Sequence, residues 1–247
     1  TYPFRLNLSG VKARCAVRRN TGARLKATGA AMSFAERTVA DITTRLPGAT
    51  AVFRAHRIDF CCGGARPLAE AAAERDVPIA QIEAELQRLS PDLPHTAPEE
   101  TCALIGYILV RYHEAHRREL PELLRLAARV ETRHASHPAV PVGLHETLEE
   151  LYEALDEHMR KEEQVLFPLM MQGGLPTIAA PILRMRHDHD GHGDRLRRIE
   201  TLTHGLKLPD DACATWRALY AGLAKLADDL HEHVHLENNV LFARFDN

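Results

Sequence analysis

Two leucine stripes in this chain end in histidine and glutamate. Apolar side chains fall at Leu144, Leu148, Leu151 and Leu155, in steps of four, three and four, and the same cadence next selects His158 and Glu162. That spacing is the seam of a helix packed in a bundle. Leu219, Leu223, Leu226 and Leu230 lead by the same steps to His233, Glu237 and Val240. A third stripe reads Ile178, Ile182, Met185, His189, His192, Leu196, Ile199, and a fourth reads Leu109, His113, His116, Leu120, Leu123. Four helices thus each turn imidazole toward the interior they share.

Burying so many polar groups is costly, at about 1–3 kcal/mol for each one left unsatisfied. A buried carboxylate is worse unless a cation neutralises it. Divalent metal removes the penalty, because neutral imidazole and ionised carboxylate are the ligands it takes. Residues four apart on a helix are neighbours, ~5–6 Å between Cβ atoms, so each His/Glu pair can serve one site. Two pairs and single histidines from the other two helices supply about six ligands. That exceeds one tetrahedral zinc and suits two octahedral-leaning ions bridged by two carboxylates, with iron first and manganese second. A lone inward histidine is usually a hydrogen-bonded core residue, and a lone His/Glu pair is usually a solvated surface contact. Four inward stripes with two matching pairs argue against both. The arrangement also differs from the Glu-x-x-His of ferritin-type proteins and from the His-Glu-x-x-His zinc signature.

Long helical stretches are expected at roughly 98–134, 143–168, 176–204 and 209–244, broken at "SHPAVPVG", "QGGLPT" and "LKLPDD". Four long helices with short connections predict an antiparallel four-helix bundle in an all-α protein. Upstream, "LAEAAAERD" and "IAQIEAELQRL" read as short amphipathic helices, and "SPDLPHTAPEE" reads as a linker. The expected division is a basic leader at 1–31, outside the fold, a small helical domain at 32–90, a linker at 91–100 and the bundle at 101–247. Residues 1–31 carry seven Lys and Arg and no Asp or Glu, leaving the remainder with a net charge of −10. An acidic body of that kind is a poor nucleic-acid binder, and no apolar run is long enough to span a membrane.

Five cysteines do not suggest a disulfide scaffold and fit a reducing cytoplasm. Cys61 and Cys62 stand in "RIDFCCGG", where the adjacent pair can close only a strained ring. The glycines are expected to allow unusual backbone angles or close approach of a partner. A helix starting near Pro67 would favour thiolate at the pair through its dipole. His231 and His235 are expected at the surface, and His137, His145 and His204 carry no role.

Taken together, "DFCCGG", "YHEAHRRELPELL…RVETRH", "EHMRKEEQVLFPLM", "RHDHD" and "HVHLENNVLF" closely resemble the repair-of-iron-centres (RIC) family, the ScdA- and YtfE-type proteins with a hemerythrin-like di-iron domain. The resemblance runs from Met32 to the C-terminus. It implies six iron ligands, His113, His158, Glu162, His189, His233 and Glu237, and prefers His113 to His116. It places His134 in the layer behind the ligands. It makes Cys61 and Cys62 the contact with a cluster, nitrosyl iron or a partner thiol. His192 is a departure, standing where the family usually has a small residue; it can add a fifth histidine or hydrogen-bond a bound water.

The implied function is repair of iron–sulfur clusters damaged by nitrosative or oxidative stress, through two carboxylate-bridged non-haem irons that donate iron or handle nitric oxide. The partners are damaged iron–sulfur proteins, with nitric oxide or oxygen as small ligands, and a homodimer is compatible with the pattern. This is not a conventional enzyme, although nitric oxide reduction at the two irons would be one activity. The alternatives are a nitric oxide binding or reducing protein, and a hemerythrin-like oxygen carrier or sensor.

Overall fold

The computed structural model describes residues 33–89 and 97–246. The expected leader and most of the expected linker, His95 included, lie outside the described residues. What is described is helical; an isolated antiparallel bridge joins Thr38 to Pro67.

The described residues divide into two compact units, one of 33–89, 97–106, 168–178 and 235–246, the other of 107–167 and 179–234. In the first, four short helices come early: α1 (Val39–Arg45), α2 (Ala49–Ala55), α3 (Leu68–Ala73) and α4 (Ile79–Leu86). Thr38 caps α1 by accepting a hydrogen bond from the Asp41 amide at 3.1 Å. Pro67 and Pro78 stand one residue before α3 and α4, supplying a fixed φ without a donor to satisfy. Helices this short are unstable alone and hold by packing. Val39, Ile42, Phe53, Ile58, Phe60, Leu68, Ile82 and Leu86 form their common core.

The long helices follow in the chain, and residues 107–167 and 179–234 of them make up the second unit. Helix α5 (Thr101–Ile108) continues through a π-helical turn, Leu109–His113, into α6 (Glu114–Arg133), which runs on through Pro121. Helix α7 (Leu144–Lys161) passes through a second π turn, Glu162–Leu166, into α8 (Phe167–Met171). Then come α9 (Ala179–Leu202) and α10 (Ala214–His235), the latter ending in a third π turn, Leu236–Leu241. Gly143 turns the chain into α7 with φ of 85°, a conformation that favours glycine. The leucine stripes of α7 and α10 are buried along their length, each leucine contributing about 1.5–3 kcal/mol. Gly222 brings α10 against α6: a Cβ there would lie 2.5 Å from Leu123 Cδ2.

Candidate metal centre

The stripes deliver their polar ends to one place. His113, His158, Glu162, His189, His233 and Glu237 are all 0–1% exposed. Their ligand atoms form two groups, His113, Glu162, His233, Glu237 and His158, Glu162, His189, Glu237, with every member within 4.8 Å of the others in its group. Both glutamates belong to both groups, as bridging carboxylates must. His113 Nε2 lies 3.2 Å from His233 Nε2, and His189 Nε2 lies 3.0 Å from His158 Nε2. Cis positions on an octahedral ion with bonds of about 2.1 Å are about 3.0 Å apart, against about 3.4 Å at a tetrahedral zinc. Glu162 Oε2 completes the edges, 3.4 Å from His158 Nε2 and 3.5 Å from His113 Nε2. The donor set and its spacing fit two divalent ions.

Carboxylates behind the ligands orient them. Glu163 Oε1 accepts from His113 Nδ1 at 2.8 Å and from Arg117 at 2.7 Å. A proton fixed on Nδ1 leaves the Nε2 lone pair facing inward. On the other side Asp188 Oδ2 stands 3.7 Å from His158 Nδ1, and that imidazole holds the Asp188 carboxyl well below the usual range. Neither Glu163 nor Asp188 is marked by periodicity. Each is an acidic neighbour of a ligand, a signal that many solvated helix faces share. Tyr112 stacks on His233 with ring centroids 5.3 Å apart, and Phe167 stacks on His113 at 5.8 Å.

Three expectations need correction. His134 caps the far end of α6, about 30 Å along the helix from His113 at 1.5 Å per residue. There it meets Cys213 Sγ at 3.2 Å and the Trp216 ring, so it does not stand behind the ligands. His235 is buried, not superficial: its ring meets Phe60 edge-on and its Nδ1 accepts from Asn239 at 2.9 Å, and burial pulls its pKa down to about 4. Helical periodicity missed it because Phe60, from a segment before the bundle, meets its ring. The third correction concerns Cys61. Its hydrogen bond to Cys62 and its burial push this thiol well above its ordinary value, opposite to the thiolate expected from a helix dipole. Helix α3 is six residues long and begins seven residues away.

His116 and His192 are buried and fall outside both ligand groups. His192 packs edge-on against His158, ring centroids 5.0 Å apart, and neither of its nitrogens has a hydrogen-bond partner. Burial first, then the neighbouring imidazoles, lower its pKa to about 2.

The cysteine loop is built from the chain itself. Asp59 Oδ1 accepts from the amides of Cys61 and Cys62 at 3.1 and 2.9 Å. Gly64 is pressed against α1, where a Cβ would lie 3.0 Å from Ala40 Cβ and from Phe60 O. Close approach, not a positive φ, is what requires glycine at 64. The π turn that carries Glu237 also holds this loop: Asn238 Nδ2 donates to Cys61 O at 3.0 Å and Asn239 Nδ2 to Phe60 O at 2.9 Å. Cys61, Cys62 and Cys213 are free thiols.

A helical bundle enclosing four imidazoles and two shared carboxylates defines the hemerythrin class of metal proteins. Residues 104–245 match the hemerythrin HHE cation binding domain, and residues 35–90 match ScdA_N, a domain of unknown function. The chain is 43% identical to the iron–sulfur cluster repair protein YtfE of Musicola paradisiaca, over 86% of this chain and 97% of that protein. It is 43% identical to YtfE of Citrobacter koseri, over 86% and 98%, and 42% identical to YtfE of an Escherichia coli strain over the same shares. The chain belongs to the repair-of-iron-centres family, the ScdA- and YtfE-type proteins. No helix among the described residues is long and apolar enough to cross a membrane.

Proposed function

We propose that this chain is a cytoplasmic di-iron protein that restores iron–sulfur clusters damaged by nitrosative or oxidative stress. The observation that carries the reading is the pair of ligand groups sharing Glu162 and Glu237. His113 and His233 would hold one iron and His158 and His189 the other, with Glu162 and Glu237 available to both. When bound, the iron pair supplies a ferrous/ferric couple and exchangeable iron. The protein's own part is to keep the Nε2 lone pairs of His113 and His158 aimed inward, with Glu163 and Asp188 facing their Nδ1 atoms, and to exclude water with Tyr112 and Phe167. A nitrogen and oxygen shell holds iron less firmly than four thiolates, which favours delivery toward a damaged cluster. The relatives named above carry this activity in their names.

The damaged iron–sulfur proteins are the partners, and residues 32–90 bring Cys61 and Cys62 to them as thiol contacts. Replacing both cysteines by serine should leave bundle iron unchanged while reactivation of a nitric-oxide-damaged cluster enzyme falls. Unchanged reactivation sinks that role. The reading as a whole is tested by reactivation with iron-loaded against metal-free protein. Equal recovery with both, or binding of zinc to the exclusion of iron after anaerobic reconstitution, overturns it.

One observation favours a second reading. His192 presents two buried nitrogens without hydrogen-bond partners beside His158, as a site for a small diatomic ligand would. Nitrous oxide formed over many turnovers from the reduced protein and nitric oxide would establish reduction in place of repair.

A further inference from the structure

We infer that Asp59, Cys61 and Cys62 form a second metal site, an open three-ligand S₂O site for one thiophilic divalent ion. It deepens the role just given to the cysteines and rests on that reading only for why an ion passes there. The three side chains offer ligand atoms within 4.8 Å of one another. Cys61 Sγ and Cys62 Sγ are 3.8 Å apart, far beyond a disulfide bond of about 2.05 Å. Two metal–sulfur bonds of about 2.3 Å meeting at a tetrahedral angle span about 3.8 Å. Asp59 Oδ1 lies 3.3 Å from Cys61 Sγ, close to the edge of about 3.5 Å between sulfur and carboxylate ligands on the same ion. The pair is therefore spaced for a shared ion without further closing.

The loop is also held for it. Asn238 and Asn239 grip the carbonyls of Cys61 and Phe60, Ala40 N donates to Gly64 O at 2.8 Å, and two amides fix the Asp59 carboxylate. The turn itself is held by those amides and by the Cys61 thiol, which donates to Asp59 Oδ1 and to Cys62 Sγ; a serine hydroxyl would donate as well, so the turn alone does not call for two sulfurs. Cys61 is buried and Cys62 half-buried, so an ion can enter from the Cys62 side. Three protein ligands leave a fourth position for an incoming thiolate or sulfide, the arrangement of a transfer site rather than a structural one. Binding needs no redox partner: the two thiol protons pass to solvent, two metal–sulfur bonds form, and the ion keeps its charge. Asn238 and Asn239 directly follow Glu237 in one π turn, which gives the bundle's ligand and the thiol loop a common support.

Cobalt(II) added anaerobically to the full chain, its bundle already loaded with iron, tests the site. About one cobalt per chain should give the thiolate-to-cobalt charge-transfer band and tetrahedral ligand-field bands. Cys61→Ser and Cys62→Ser should each weaken the charge-transfer band, and the double replacement should abolish it. Asp59→Asn, which keeps an oxygen for the two amides, should weaken cobalt binding about tenfold with the bands retained. Bundle iron content, measured alongside, should stay constant in all of them. No charge-transfer band in the wild type, or a band that survives the double replacement, overturns the proposal. This outcome is independent of cluster reactivation, so either reading can fail while the other stands.

Discussion

Glu162 is fully buried in a bundle lined with leucine, where an ionised carboxylate is stable only opposite positive charge. Glu162→Gln removes that charge while keeping the shape. Metal-free, the variant should melt higher than the wild type, by about 2–4 °C for each kcal/mol gained. After reconstitution the order should reverse, and metal content should fall toward one ion per chain or fewer, by elemental analysis. His192 gives a companion case. Its two unsatisfied nitrogens cost about 1–3 kcal/mol, so His192→Leu should raise the metal-free melting temperature by several degrees. With iron bound, the same change should alter the Mössbauer spectrum recorded under nitric oxide if the ring meets a small ligand there. A spectrum indistinguishable from wild type would make His192 a packing residue.

Among the elements, the π turns carry the most chemistry. His113 closes one, Glu162 opens the second and Glu237 lies in the third, so three of the six ligands sit where the helix is locally unwound. Such turns collect at functional sites because they re-aim side chains at a local cost in hydrogen bonding. They also explain a local failure of periodicity. Regular spacing extends the last stripe to Val240, which is half-buried, while Leu241 and Phe242 are fully buried.

The first turn is fastened by Arg111, whose guanidinium donates to both oxygens of Asp229 on α10, at 2.6 and 3.1 Å; Lys225 joins at 2.8 Å. Burial alone would raise the Asp229 pKa, but these donors outweigh it and hold the carboxyl below its ordinary value. The pair's contribution is therefore complete above the unfolded pKa of about 3.9 and is lost as pH falls through the lower folded value. Asp229→Asn should cost about 1 kcal/mol at pH 7, discounted for the half-exposed Arg111. Denaturant titrations should show the gap closing as the pH falls below the unfolded carboxylate pKa. A gap independent of pH would deny the ion pair.

At the scale of the molecule, metal and fold are linked. The centre joins side chains from all four bundle helices, and ions that bind only the folded state stabilise it by mass action, about 4 kcal/mol at a thousandfold excess over Kd. Chelation should therefore lower the melting temperature of the loaded protein by roughly ten degrees, while calorimetry of the metal-free form should still show a cooperative transition from the leucine core. A melting temperature indifferent to chelation would mean that the ions do not bridge the helices.

The all-α class, the four-helix bundle and the inward turn of the histidine and glutamate stripes were legible in the sequence, because a repeating seam states which residues share an interior; the seam did not separate His113 from His116 or His189 from His192, a choice that only the family resemblance supplied. Burial of polar groups in that seam then has few physical remedies besides metal. Tertiary structure alone decided what depends on partners distant in the chain: that His134 serves Cys213 and Trp216 at the far end of α6, that His235 is buried by Phe60, and that Asn238 and Asn239 hold the cysteine loop. Periodicity reports which face of a helix turns inward. It does not report what another segment brings to meet that face, since hydrogen bonds and burial belong to pairs of residues and not to positions.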